Sequence, residues 1–218
     1  MTSFRLLQLA DAAFPAGGFA HSGGLETMVA AREVDGGPAL ARFLRDALFQ
    51  AARGALPFVA AAARGDELGA LDRLVDSMLG NHVTNRASRA QGRSWLDAAS
   101  RSFGGPCAAL KADVRARGLP GHLAPAFGAV LRALSVPPDD AQRVFLHLTA
   151  RGVVSSAVRL GVVGPFEGQS LQDAAAPTME RAFADAQGLA PCDAAQTAPL
   201  LDLFAGTADR AYSRLFQS

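Results

Sequence analysis

The sequence predicts an all-α fold, a single-domain helical bundle of about eight to ten helices spanning residues 1–218. Three observations carry that prediction. Alanine and leucine dominate, and apolar residues return at three- and four-residue intervals over long stretches, which is the helix period. Alternating β-branched and aromatic runs, the mark of half-buried strands, are scarce. Most of the glycine and proline clusters fall between the periodic segments, where they act as punctuation.

Taken in order, Phe4 to Asp11 reads as a short first helix, ended by Pro15-Ala16-Gly17-Gly18. A second runs from Gly24 to Val34 and stops at Asp35-Gly36-Gly37-Pro38. Ala39 to Ala63 carries Leu40, Phe43, Leu44, Ala47 and Leu48 as one apolar stripe, and Pro57 should kink or divide it. Glu67 to Phe103 is one long helical pattern with Leu68, Leu71, Leu74, Val75, Met78 and Leu79 on a face. It turns polar from Asn81 to Arg93 and apolar again at Trp95-Leu96. Gly104-Gly105-Pro106 and Gly118 to Gly121 punctuate the middle, and His122 to Leu134 follows. Pro137-Pro138-Asp139-Asp140 is a helix start, with acids near the positive end of the dipole. Ala141 to Val163 is apolar nearly all round, the pattern of a central buried helix, and Gly164-Pro165 ends it. A further helix is expected within Gly168 to Gln187 and a last one within Ala195 to Ala208. No repeat, low-complexity linker or composition shift divides the chain.

Half the residues are hydrophobic (50%), enough for a sizeable core and against disorder. Lys+Arg of 21 against Asp+Glu of 20 leaves a formal charge of +1, so no global field draws in nucleic acid or an acidic membrane. Cys107 and Cys192 form no C-x-x-C pair, which argues against a disulfide framework or thiolate metal site and for a reduced, cytoplasmic setting. No apolar run approaches the roughly 20 residues that cross a bilayer. Asp11 and Pro15 interrupt the N-terminal apolar patch too early for a signal peptide.

The motif Ala20-His21-Ser22-Gly23-Gly24 is close to the turn that holds the nucleophile of α/β-type serine hydrolases. That turn needs a buried strand before the serine, and Phe14-Pro15-Ala16-Gly17-Gly18 cannot pair as one. Asp140 and His147 follow Ser22 in chain order but fall on one expected helix, so a Ser22 hydrolase stands as an alternative with poor context. The more economical role for Ser22 is to cap the helix beginning near Gly24. The glycines around it permit positive φ and a tight interhelical joint. Nucleotide motifs are missing, since Lys111 is the single lysine and the glycines lack G-x-G-x-x-G spacing. None of His21, His82, His122 and His147 has a second ligand at helix spacing, so no metal site, catalytic residue or cofactor is expected. Arg86, Arg89 and Arg93 share one helical face, either a solvated face or one that pairs with carboxylates of a partner protein.

Four stretches together resemble the UreF family of urease accessory proteins. "LLQLADAAFPAGGFAHSGGLE" is similar to the family's opening, and "RASRAQGRSWL" to its middle helix. "SSAVRLGVVGPFEGQ" resembles the Ala-Val-Arg-Leu-Gly helix end, and "YSRLFQS" the C-terminal tail. The resemblance implies a non-enzymatic urease maturation factor that forms a homodimer. It also implies binding to a UreD/UreH-type protein, recruitment and regulation of a UreG-type GTPase, and support of nickel delivery to apo-urease. On this reading Pro15, Gly18, His21, Ser22, Gly24 and Glu26 shape the dimer or an interhelical joint. The tail, residues 209–218, would become ordered on partner binding, with Tyr212, Arg214, Leu215, Phe216 and Ser218 as contacts. The chain departs from the family pattern at His21, where tyrosine is common, at Ala208, where histidine is, and at Gln217, where arginine is. An unrelated helical interaction domain is the remaining alternative.

Overall fold

The computed structural model describes residues 4–210 and 215–218. Among them are twelve α-helices and no strand, so the fold class holds while the count exceeds the expected eight to ten. The helices are α1 (Phe4–Ala10), α2 (Leu25–Ala30), α3 (Gly37–Gly54), α4 (Leu56–Arg64), α5 (Leu68–Met78) and α6 (His82–Phe103). They continue as α7 (Gly105–Ala116), α8 (Leu123–Ala133), α9 (Pro138–Arg159), α10 (Pro165–Ala174), α11 (Ala176–Ala186) and α12 (Pro199–Gly206).

Three of the extra helices come from breaks inside stretches that read as continuous, and α7 fills the stretch between the Gly104–Pro106 and Gly118–Gly121 clusters, where no helix is expected from the sequence. Pro57 sits in the first turn of α4, where a missing N–H costs nothing, and divides the Ala39–Ala63 stripe at Ala55. The Arg53 carbonyl left over there accepts the Ala195 N–H at 3.1 Å instead. The Glu67–Phe103 pattern is two helices, because Asn81 turns its side chain onto the Val83 N–H (3.0 Å) and restarts the chain as α6. Pro177 in the first turn of α11 separates it from α10 at Ala175.

The long helix α9 lies at the centre, packed on α3, α4, α8, α10 and α11, as its apolar circumference predicts. Arg151 on α9 reaches the last carbonyl of α1, Ala10 O, and so closes that helix. Buried residues from Leu6 on α1 to Ala186 on α11 form one contiguous apolar cluster. A line of rings runs through it: Phe14 meets Trp95 edge-on at 5.3 Å, and Trp95 stacks on Phe127 at 4.6 Å. At the edge of this cluster, where its Leu201 packs, α12 covers α2 and α6. Gly24 makes that approach feasible. Its φ of 91° favours glycine, and a Cβ there would lie 3.0 Å from the Ala205 nitrogen. Among the described residues no helix is long and apolar enough to cross a membrane.

Candidate functional site

The opening turn and the end of the chain, some two hundred residues apart, are brought together. A 3-10 turn at Gly18–Ala20 leads to His21, and the final residues lie alongside. The Gln217 N–H donates to Ala20 O at 2.8 Å, and the Ser22 N–H donates to Ser218 O at 2.6 Å. Ser22 Oγ also donates to Ser218 O (2.9 Å), and His21 Nδ1 shares a 2.7 Å hydrogen bond with Ser218 Oγ. The Glu26 carboxylate accepts the N–H groups of Leu215 and Phe216, the latter at 3.2 Å. A frayed terminus carrying two apolar residues is thereby held mostly through its main chain.

Arg159, in the last turn of α9, completes the junction. Its guanidinium lies 3.6 Å from the Phe19 ring centroid and 4.2 Å from that of Phe216, and it donates to Phe19 O. A guanidinium sandwiched by two phenyl faces is a strong cation–π geometry. Phe216 is buried under it, whereas Phe19 and Leu215 stay exposed at the edge (70% and 55%).

The expected joint residues thus divide. His21, Ser22 and Glu26 bind the tail, and Gly24 carries the approach of α2 to α12. Gly18 opens the 3-10 turn, and Pro15 is exposed ahead of it. Tyr212 and Arg214 lie outside the described residues; Leu215, Phe216 and Ser218 lie within them. Gly24, not Ser22, holds the N-cap position of α2 and brings no side-chain acceptor; Ser22 Oγ accepts the Glu26 N–H only at 3.4 Å, while its proton goes to a main-chain oxygen. Its hydroxyl therefore faces main-chain partners, not a histidine base. Burial, helped by the nearby Arg86 charge, pushes the His21 imidazole below its ordinary range.

The arginine face on α6 is laced to its surroundings. Arg86 donates to the Asp209 carboxylate at 2.8 and 3.0 Å, with His82 Nε2 3.3 Å from the same group. Arg89 pairs with Asp76, and Arg93 Nε donates to Pro120 O at 3.1 Å. His82, Arg86, Arg89 and Arg93, with Asp76, line a groove of about 630 Å³.

Behind the groove is a buried polar network. His122, fully buried, bonds Ser88 Oγ through Nδ1 and Asp76 Oδ1 through Nε2, each at 3.0 Å. Asp72, also buried, accepts the Gly121 and His122 N–H groups at 2.8 and 2.7 Å. The Asn85 amide holds the Asp76 carboxyl down at about 2, with Arg89 and His122 assisting against burial. Burial in turn lowers the His122 pKa, countered in part by Asp76 and Asp72. No group of three or more His, Cys, Asp and Glu suited to a metal ion occurs among the described residues.

Fold and site together define a class: an all-helical protein whose distinctive features are docked segments, salt-bridged helix faces and an arginine-lined groove. Comparison with known proteins makes this specific. The UreF family profile matches residues 34–176. Urease accessory protein F of Oryza sativa subsp. indica is 34% identical over 217 residues, covering 96% of this chain and 82% of the relative. Its counterpart in Arabidopsis thaliana is 34% identical over 218 residues (97% and 90%). Urease accessory protein UreF of Kocuria rhizophila is 29% identical over 223 residues (98% and 95%). The chain belongs to the UreF family. Its relatives are named as accessory proteins and not as enzymes.

Proposed function

We propose that this chain is a urease maturation scaffold. It binds a UreD/UreH-type protein and recruits and regulates a UreG-type GTPase. In doing so it supports nickel delivery to apo-urease, in the cytoplasm and as a homodimer. The observation that carries this reading is likeness over 96% to 98% of the chain to proteins named as urease accessory proteins. The tail junction supports it physically. Four main-chain N–H groups, at Ser22, Leu215, Phe216 and Gln217, bond across the junction, and Phe19 and Leu215 remain exposed beside it. An apolar rim on a lightly anchored terminus is suited to further ordering against a second protein.

The test is co-expression with the UreD-like and UreG-like proteins of the same organism. The full chain is compared with a version ending at Ala211 and with Leu215→Ser, after thermal melts establish that each variant folds. Capture of both partners by the full chain, with loss in the truncated form, supports scaffold and tail together. Equal capture by all three removes the tail from the interface. Capture by none overturns the scaffold reading.

A further inference from the structure

We infer that the groove along α6 is a carboxylate-docking site for an acidic segment of a partner protein, and that Asp209 of the chain itself, beside the groove, competes for its Arg86. The chemistry of the occupant is displayed by the chain's own side chain. Asp209, on the 3-10 turn Ala208–Arg210, bonds Arg86 and lies beside His82, two residues of the groove wall. The carboxylate in the wall itself, Asp76, is engaged by Asn85, Arg89 and His122. Arg93 pairs with no carboxylate among the described residues, and the Arg89 Nε is buried there with no acceptor. Three guanidiniums of the wall therefore meet two carboxylates, Asp76 in the wall and Asp209 beside it, along a groove of about 630 Å³, which leaves room and charge for another acidic side chain.

The Asp209 contact is built to exchange. The Arg86 and His82 side chains are 54% and 70% exposed, and ion pairs at such sites are weak and screened. An incoming carboxylate that takes Arg86 from Asp209 removes one contact of the turn just before the tail. Carboxylate is favoured over nucleic acid, because no Phe, Tyr or Trp lines the groove for base stacking. The partner's identity rests on the scaffold reading above; the groove's chemistry does not.

The experiment titrates a fluorescein-labelled hexaglutamate peptide with the full chain at low ionic strength, read by anisotropy. Variants are Asp209→Asn, the double variant Arg86→Ala/Arg93→Ala, and Arg42→Ala on the exposed face of α3 as a control, all checked for unchanged melting. Removing the internal competitor should tighten peptide binding about three- to fivefold, and the double variant should weaken it by at least about fivefold. Arg42→Ala should leave it unchanged. Affinities that are the same in all four proteins overturn the proposal. So does displacement of the peptide by inorganic phosphate but not by acetate at matched ionic strength, which would mark a phosphate site. A failure here leaves the co-expression result standing, and a failure there leaves the peptide result standing.

Discussion

The Asp72–His122 junction and the tail junction both fasten segments far apart in the chain, but with different materials. At the first, a buried carboxylate accepts two buried N–H groups, and a fully buried imidazole is bonded through both nitrogens. Nothing there can let go without leaving polar groups unsatisfied away from water. At the second, main-chain bonds and an arginine–phenyl stack hold residues 215–218, of which Leu215, like Phe19 beside it, already faces outward. Opening it exposes little of the core. One junction is a permanent joint of α5, α6 and α8; the other is a separable latch.

The comparison breaks first if the inner joint proves dispensable. Asp72→Ala should lower unfolding free energy by about 3 kcal/mol in urea titration, since two buried N–H groups lose their acceptor. A loss below about 1 kcal/mol would mean water replaces it readily. Gly92→Ala should come next, at about 2 kcal/mol in the same titration, because a Cβ there would stand 2.1 Å from Gly121 O and overpack α6 against the α8 loop.

Acid sharpens the contrast. Asp76 is held at about 2 against an ordinary 3.8, so the unfolded chain binds its proton first as pH falls. Its contribution is fully present above the ordinary value and is lost as pH falls towards about 2. His122 adds an earlier loss, shared with His21 and His147: with their pKa values lowered, the unfolded state protonates first and stability declines below about 6.5. Melting temperature should therefore fall in two stages on acidification. Asp76→Asn should flatten the lower stage, though not abolish it, because Glu67 is also held at about 2, chiefly by Arg117.

The smallest global effect is expected at the latch. Phe216→Ala should cost about 1 kcal/mol or less in urea titration, because the terminus can detach while the core stays folded. A loss of the size typical for a core phenylalanine, above about 3 kcal/mol, would make the tail part of the core.

Much of the helical layout was legible because glycine and proline punctuate it. The start at Pro138 and the division at Pro57 follow from local chemistry, whereas Pro165 reads only as the end of one helix and in fact opens the next. The break before α6 was not legible, since Asn81 caps it in the middle of an unbroken helical period. In the site, the Pro15–Glu26 turn and the Tyr212–Ser218 tail both stood out in the sequence, but nothing local says that they meet. Arg159 and the Asp72, Asp76 and His122 set went unnoticed for the same reason. Each is ordinary in its own helix, and only tertiary packing brings partners 46 to 140 residues away into contact. The arginine face was visible from its spacing, whereas its pairing with Asp209, 123 residues on from Arg86, was not.

Amide hydrogen exchange on the full chain separates the two junctions directly. The amides of Ser22, Phe216 and Gln217 should exchange through a local opening far easier than global unfolding, while those of Gly121 and His122 exchange only with the core. Phe216→Ala should accelerate the first set and leave the second untouched. If both sets share one opening free energy and slow or quicken together, the tail is a permanent part of the fold and the latch does not exist.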